Sequence, residues 1–303
     1  MIVTDSFGSY RCATISDRDL EVSVLTRGAI VQSISFKGRQ MVLGHGDPAA
    51  YERDMCYVGA IVGRYANRIA RARFELDGIV YRLAPNEGEN QNHGGPDAFD
   101  KRSWDCKVID DSAVEMHLFS PDGDNGYPGD LDAYVTYRAS GNRLRVEFRG
   151  RADRKTVFAP TTHIYFNIGG RETIQGTELS INAEKYVKVD AEHLPLSVEP
   201  CAGDFDFRRA KEIPENMDAA FVLEGERAAV IRREGVQIAV STDYPALQLY
   251  SGDFLSGGFR PYQGFALEPE YLPDSPNRPD FPSPVLEPGD VFVKYIEYEF
   301  GEV

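Results

Sequence analysis

Apolar and polar residues alternate with a period of two along most of this 303-residue chain, in short runs separated by glycine and proline. Successive side chains of a β-strand point to opposite faces, so this pattern is typical of strands with one buried face. No long stretch has apolar residues at helical spacing. Parallel strands are usually connected by helices, so the absence of long predicted helices favours antiparallel sheets. The sequence predicts an all-β protein, a large antiparallel β-sandwich with few short helices.

Turn signals predict two hairpins. Asp77-Gly78 lies between the β-formers of 74–76 and 79–81, and a type I′ turn needs positive φ at both of its central residues. The runs 131–139 and 143–150 are joined by Ser140-Gly141-Asn142 and predict the second hairpin. Further strands are predicted over 20–26, 30–36, 114–119, 157–167, 228–231, 236–241, 246–250, 264–268 and 291–300, and short helical turns over 48–54 and 210–215. No linker or repeat divides the chain, so we expect residues 1–303 to form a single domain.

Charge and cysteine usage exclude several classes of protein. Lys and Arg total 33 against 48 for Asp and Glu, and the resulting net charge of −15 opposes nucleic-acid phosphates and anionic bilayers as partners. The chain also contains no apolar run long enough for a membrane helix and no export signal at its start. Four widely spaced cysteines form no Cys-x-x-Cys pair. We therefore expect a cytoplasmic protein with free, buried thiols, and no zinc or redox motif.

Three segments carry more polar residues than a sandwich needs. In the first, 63–69 and 86–95, amide and guanidinium side chains are mixed with glycines that let a backbone approach a ligand closely. That composition predicts either a polar binding surface or a solvated loop. The other two segments, 161–167 and 264–277, each place an ionisable side chain among β-formers, His163 and Glu268 respectively.

His163 and Glu268 are candidates for proton transfer. The ordinary pKa of histidine, near 6.5, suits that task, although a lone histidine on a strand is more often structural. Glu268 and Glu270 share a face if their strand is continuous, which would suit a glycoside-cleaving carboxylate pair, but Pro269 between them makes that spacing unreliable. Motifs for dinucleotide, phosphate-loop, zinc-protease and serine-hydrolase sites are absent from the sequence.

Taken together and in order, these segments resemble the aldose 1-epimerases, or mutarotases. The shared motifs are Gly63-Arg64-Tyr65-Ala66-Asn67-Arg68-Ile69, His93-Gly94-Gly95 with Phe99-Asp100-Lys101 and Trp104, Ser120-Pro121-Asp122-Gly123 through Gly126-Tyr127-Pro128-Gly129, Thr162-His163-Ile164-Tyr165-Phe166-Asn167, Asp206-Phe207-Arg208, Gln248-Leu249-Tyr250-Ser251-Gly252 and Pro273-Asp274-Ser275-Pro276-Asn277. The resemblance extends from about residue 28 to residue 300, nearly the whole chain.

The resemblance implies an isomerase that interconverts the α and β anomers of a free aldose by opening and closing the ring, with no cofactor and no metal. It makes ionised Glu268 the general base and protonated His163 the general acid. Other residues would bind the sugar: Asn67, Arg68, His93, Asp218 and Gln248. An aromatic platform for the ring is expected from Phe99, Trp104, Tyr165 or Tyr250. A monomer and a homodimer both remain open.

Three positions next to the implied site depart from the family pattern. Ala219 stands where the family usually has His, Pro269-Glu270 where it commonly has Thr-Gln, and Thr162 where it has Asn. These departures bear on the preferred sugar more than on the reaction. Three alternatives stay open: a non-catalytic sugar-binding protein on the same sandwich, a glycoside-cleaving enzyme that uses Glu268 and Glu270, and a mutarotase for sugar phosphates.

Overall fold

Strands dominate the computed structural model, which describes residues 1–303. In chain order they are β1 (Ile2–Phe7), β2 (Tyr10–Asp17), β3 (Leu20–Leu25), β4 (Val31–Phe36), β5 (Arg39–Gln40), β6 (Ile61–Val62), β7 (Arg68–Ile69), β8 (Arg73–Leu76), β9 (Ile79–Arg82), β10 (Gln91–Asn92), β11 (Asp105–Asp110), β12 (Ala113–Ser120), β13 (Leu131–Ser140), β14 (Arg143–Ala152), β15 (Thr156–Val157), β16 (Thr161–Thr162), β17 (Tyr165–Phe166), β18 (Glu178–Ile181), β19 (Ala183–Val189), β20 (Pro195–Pro200), β21 (Lys211–Glu212), β22 (Asp218–Leu223), β23 (Arg227–Arg233), β24 (Val236–Thr242), β25 (Ala246–Tyr250), β26 (Phe265–Glu270), β27 (Val285–Leu286) and β28 (Phe292–Glu302).

Helical structure is limited to one short α-helix and five single 3₁₀ turns. The helix is α1 (Pro48–Glu52), and the 3₁₀ turns are Ala70–Ala72, Phe99–Lys101, Asp124–Gly126, Gly203–Phe205 and Ser275–Asn277. The carboxylate of Asp47 caps α1 by accepting a hydrogen bond of 3.0 Å from the amide of Ala49, and proline occupies the first helical position, which suits its fixed φ. No helix in the structure has both the length and the apolar character needed to cross a bilayer.

Three antiparallel sheets make up most of the fold. The largest has nine strands in the order β11-β12-β13-β14-β28-β24-β23-β18-β21, the second has six in the order β17-β26-β25-β22-β19-β20, and the third has five in the order β1-β2-β3-β4-β5. Buried apolar side chains from all three sheets form one continuous cluster, which runs from Ala13 to Phe300. The predicted all-β sandwich is confirmed.

Alternation explains how the strands of the large sheet bury one face. Along β13 and β14 buried residues alternate with partly exposed ones, and the paired Val135 and Phe148 lie in the core. Side chains of opposing residues in a sheet share a face, so each pair adds buried apolar area. This hairpin was predicted correctly, as was the turn at Asp77-Gly78, where φ is +52° and +80°.

Two of the secondary-structure predictions were wrong. The single strand expected over 157–167 consists instead of three two-residue strands, β15, β16 and β17, because Pro160 has no amide hydrogen for a ladder and the neighbouring amides bond elsewhere: Phe158 to the carbonyl of Pro284 and Ala159 to that of Arg64. The helical turn expected over 210–215 is strand β21, which pairs with β18. The prediction of buried thiols was wrong for two of the four free cysteines: Cys56 and Cys201 are buried, whereas Cys12 and Cys106 are only partly buried.

Candidate active site

A cleft of about 800 Å³ opens on the six-stranded sheet. Register places its polar side chains: Gln248 of β25 pairs with Glu268 of β26, and Tyr250, two positions further along β25, pairs with Asp218 of β22. These four side chains therefore point to one face, while the residues between them, such as Leu249 and Leu267, point into the core. Loops from other parts of the chain complete the walls.

All seven residues that the resemblance singled out lie in this cleft: Asn67, Arg68, His93, His163, Asp218, Gln248 and Glu268. They come from positions far apart in the sequence, and the fold brings them together. Of the expected aromatic residues, Tyr165 and Tyr250 line the cleft, whereas Phe99 and Trp104 pack in the core and cannot meet a ligand there.

His163 and Glu268 face each other at the floor of the cleft. The imidazole Nε2 lies 3.7 Å from the carboxylate Oε2, and both side chains are almost completely buried. Backbone hydrogen bonds fix His163, whose amide donates to the carbonyl of Ala60 and whose carbonyl accepts from the amide of Gly59. His163 Nδ1 and Glu268 Oε2 have no hydrogen-bond partner within the protein. Buried polar atoms are normally satisfied, so the unpaired Glu268 Oε2, which faces His163 Nε2, indicates a position where a ligand can complete the hydrogen bonding.

A second histidine, His93, is held in one tautomer beside this pair. Its Nδ1 accepts a hydrogen bond of 3.2 Å from the amide of Asn67, which leaves a proton on Nε2 when the ring is neutral. The rings of His93 and His163 meet edge to face, with centroids 5.4 Å apart. The loop after His93 passes so close to Gly63 that a Cβ on Gly94 would lie 1.9 Å from its carbonyl oxygen, and φ is +90° there. Only glycine fits at that position.

Tyr57 was missed by sequence reasoning. Its ring stacks on His163, with centroids 5.7 Å apart, and meets the edge of His93 at 4.8 Å. It therefore forms one wall around both imidazoles. Nothing in the periodicity of the chain marks it, because Tyr57 lies in an irregular segment between α1 and β6.

Asn67 connects the floor of the cleft to its side. Its Nδ2 donates to Glu270 Oε1 at 2.7 Å and to Gln248 Oε1 at 3.3 Å. Gln248 in turn donates to Asp218 through a short hydrogen bond. The result is a continuous chain of side-chain hydrogen bonds, Glu270–Asn67–Gln248–Asp218, that orients the polar groups before any ligand arrives.

Arg68 is the only arginine of the cleft. Its guanidinium makes two hydrogen bonds to Glu87, at 2.7 and 3.0 Å, in the side-by-side geometry that arginine and carboxylate favour. This pairing offsets its charge and fixes the guanidinium, and Arg68 remains one of the residues that line the cleft.

Burial controls the protonation of the floor. Desolvation lowers the pKa of His163 to about 4, and it lowers the pKa of His93 well below its ordinary value, with the charge of His163 adding to the effect. Desolvation likewise raises the pKa of Glu268 and of Glu270, and nearby negative charge adds to both shifts: Glu270 and Asp218 raise the pKa of Glu268, and Asp218 raises that of Glu270. These shifts favour neutral imidazoles and protonated carboxyls at the floor, opposite to the ionised Glu268 and protonated His163 expected from the sequence.

His93, His163 and Glu268 offer ligand atoms that all lie within 4.8 Å of one another. Two imidazoles and one carboxylate are a donor set that some zinc sites use. The same three groups are also close enough to contact neighbouring polar atoms of one organic ligand, and each can donate or accept a hydrogen bond according to its protonation.

Comparison with known proteins decides the family. A family model described as aldose 1-epimerase matches residues 11–299. The chain belongs to the aldose 1-epimerase family. It is 40% identical to the aldose 1-epimerase of Escherichia coli K12 over 96% of this chain and 95% of that protein, and 34% identical to the galactose mutarotase of Homo sapiens over 93% and 91%.

Solved structures agree. An aldose epimerase homologue from C. elegans superimposes with a TM-score of 0.93 at 28% identity, covering 97% of this chain and all of that one. Galactose 1-epimerase from Lactobacillus acidophilus gives a TM-score of 0.90 at 28% identity, over 100% and 98% of the two chains. The chain is thus an isomerase with the mutarotase fold, and mutarotase activity is favoured over sugar binding alone and over glycoside cleavage.

Proposed function

We propose that Glu268 and His163 are the catalytic base and acid of this mutarotase, acting on a free aldose bound across the cleft. Glu268 removes the proton of the C1 hydroxyl while His163 gives one to the ring oxygen, so the bond between C1 and the ring oxygen breaks and the open-chain aldehyde forms. Rotation about C1–C2 exposes the other face of the aldehyde. Closure then runs the two proton transfers in reverse and yields the other anomer.

The separation of the two side chains supports this assignment. Both reacting oxygens are attached to C1, so the acid and the base must reach neighbouring atoms of a single sugar. His163 Nε2 and Glu268 Oε2 lie 3.7 Å apart, and that carboxylate oxygen has no partner in the protein. This is the observation on which the proposal rests.

The raised pKa of Glu268 and the lowered pKa of His163 are compatible with these roles. A protonated Glu268 beside neutral His163 carries the same total charge as a carboxylate beside an imidazolium, and the two forms differ only in where one proton lies. A sugar hydroxyl that donates to the carboxylate stabilises its charged form. Substrate binding therefore moves the pair toward the form in which Glu268 accepts a proton and His163 donates one.

The surrounding residues supply positioning. With its Nδ1 held by the amide of Asn67, neutral His93 presents an Nε2–H donor to the ring. Asn67, Gln248 and Asp218 are already joined by hydrogen bonds, and Arg68 is fixed by Glu87. We propose that these five residues, His93, Asn67, Gln248, Asp218 and Arg68, bind the sugar hydroxyls. Preorganised donors and acceptors of this kind hold a substrate near its reactive geometry.

The charge of the cleft favours a neutral sugar over a sugar phosphate. Its walls carry five acidic residues, Glu87, Glu89, Glu192, Asp218 and Glu268, and a single arginine that is paired with Glu87. A phosphate would meet this field without a free cation to bind it. Galactose is the first aldose to test because the relatives include proteins named galactose mutarotases.

Every group in this mechanism comes from one chain. We propose that residues 1–303 act as one domain, since the buried cluster joins all three large sheets, and that a monomer or a homodimer is the working form. We also propose the cytoplasm as the compartment, which the four free cysteines favour.

Polarimetry of freshly dissolved α-galactose tests the assignment. Glu268→Gln and His163→Ala should each lower the mutarotation rate constant by about 10²- to 10⁴-fold, the usual contribution of one acid or base. Glu75→Gln and His117→Asn are matched controls outside the cleft and should keep wild-type activity, and circular dichroism should show that all four variants fold. Wild-type activity in folded Glu268→Gln or His163→Ala would refute the proposed role.

A further inference from the structure

The turn between β19 and β20 forms part of the cleft wall and does not contact the acid–base pair. This rim turn comprises residues 190–194, and Ala191, Glu192 and His193 line the cleft. It is internally fixed: Asp190 Oδ1 accepts hydrogen bonds from the amides of Glu192 at 2.8 Å and Leu194 at 3.0 Å. His193 has φ of +58°, a left-handed conformation that the turn imposes.

The rim turn is tied to two different walls of the cleft. Glu192 Oε2 accepts a hydrogen bond of 2.9 Å from Asn90 Nδ2, which belongs to the loop leading to His93. His193 Nδ1 lies 3.1 Å from Asp218 Oδ2 on the six-stranded sheet. Because these two adjacent side chains are tied to different walls, the imidazole of His193 is held in a defined position in the cleft.

His193 extends the hydrogen-bond chain that begins near Glu268. Asn67 donates to Gln248, Gln248 donates to Asp218 Oδ1, and Asp218 Oδ2 meets His193. The chain thus leads away from the reacting end of the cleft and ends at the rim. With Nδ1 bound to Asp218, only Nε2 of His193 remains for a ligand.

We propose that His193 is a specificity-determining residue of the mutarotase reaction, whose Nε2–H donates a hydrogen bond to a sugar hydroxyl remote from C1. This inference rests on the proposed function and deepens it. His193 does not take part in proton transfer at C1, because it bonds to Asp218, at the end of the hydrogen-bond chain opposite to Glu270 and Asn67. It acts on substrate affinity, and it discriminates between aldoses by the hydroxyl that it contacts.

The charges around His193 give the proposal a pH signature. Asp218 raises the pKa of His193, burial and Arg68 oppose that shift, and Glu87 adds to it. The pKa of Asp218, which faces His193, is lowered. Desolvation alone would raise it, but His193, Arg68 and Gln248 stabilise the carboxylate by more. Protonated His193 donates from both nitrogens, and loss of its proton removes the Nε2–H. Substrate affinity should therefore weaken as the pH rises through the pKa of His193.

The test compares KM and kcat for mutarotation of galactose in the wild type and in His193→Asn. Asparagine tolerates the left-handed conformation better than alanine does, and His193→Gly offers a second variant free of backbone strain. KM should rise about tenfold, as expected for loss of one hydrogen bond from a charged donor, with kcat nearly unchanged. His117→Asn is the matched control, since His117 also pairs with an aspartate, at 2.7 Å, but lies outside the cleft.

Two further readouts separate direct contact from a structural effect. Wild-type KM should rise with pH, whereas that of His193→Asn should not follow the same curve. With the 3-, 4- and 6-deoxy sugars, one analogue should show equal KM in the wild type and His193→Asn, because it lacks the contacted hydroxyl. An unchanged KM in His193→Asn with galactose, or an equal KM increase with every deoxy sugar, would overturn the proposal. Inactive wild-type protein would instead refute the proposed function.

Discussion

Replacing Glu270 by glutamine tests how the buried carboxyls control the base. Glu270 is completely buried, accepts a hydrogen bond of 2.7 Å from Asn67, and lies two residues from Glu268 on β26. Two residues of strand span about 6.6 Å, so at an effective dielectric constant of about 20 two carboxylates there repel by about 2.5 kcal/mol, or about 1.8 pH units. Glutamine keeps the shape and the acceptor for Asn67 but removes this charge.

The direction in which Glu270→Gln shifts the rate–pH profile follows from the role of Glu268 as the base. Above its own pKa of about 8, Glu270 is negative and raises the pKa of Glu268, so its removal lowers the pKa of Glu268 and keeps the base ionised at lower pH. The acidic limb of the rate–pH profile of Glu270→Gln, measured by polarimetry, should move down by up to about 1.8 pH units. Glu75→Gln, an exposed change on β8, is the control. An acidic limb that stays in place or moves upward in Glu270→Gln would refute the coupling argued here.

The remaining predictions concern stability and the cleft wall. Phe148→Ala empties a fully buried position in β14 and should lower the free energy of unfolding by about 3–5 kcal/mol in a urea titration; a loss below about 1 kcal/mol would contradict the packing described. Gly94→Ala should displace the loop of His93 and raise KM in addition to lowering Tm, and wild-type values for both would disagree with the close approach to Gly63. Burial raises the pKa of Glu270, so the native state binds its proton more tightly than the unfolded chain and wild-type stability falls as the pH rises above about 5. Glu270→Gln should therefore gain Tm relative to the wild type at about pH 8 but not at about pH 5, and an equal difference at both would argue against a buried titrating group.

Local patterns predicted the parts of the fold that depend on neighbouring residues. The hairpin at Asp77-Gly78 follows from the positive φ that its turn requires, and the pair β13–β14 follows from alternation. The segment 157–167 failed because its backbone bonds to several distant segments, which no local pattern encodes. The segment 210–215 failed because pairing with β18 outweighs weak helix propensity.

The cleft could be predicted from the sequence only where motifs carry it. His163 and Glu268 were candidates from their residue types and strand context, resemblance gave them their roles and added the five proposed sugar-binding residues, and the structure brings all seven to one cleft. Tyr57 and His193 were not found, because each lies in an irregular segment and reaches the cleft through tertiary packing. The altered protonation at the floor depends on burial, which residue types alone do not reveal.

A structure of the protein with a bound aldose tests the central claim most directly. Glu268 should lie within about 3.2 Å of the C1 hydroxyl oxygen, and His163 Nε2 within the same distance of the ring oxygen. A sugar seated in the cleft with either side chain more than about 5 Å from the oxygens on C1 would contradict the assignment of base and acid.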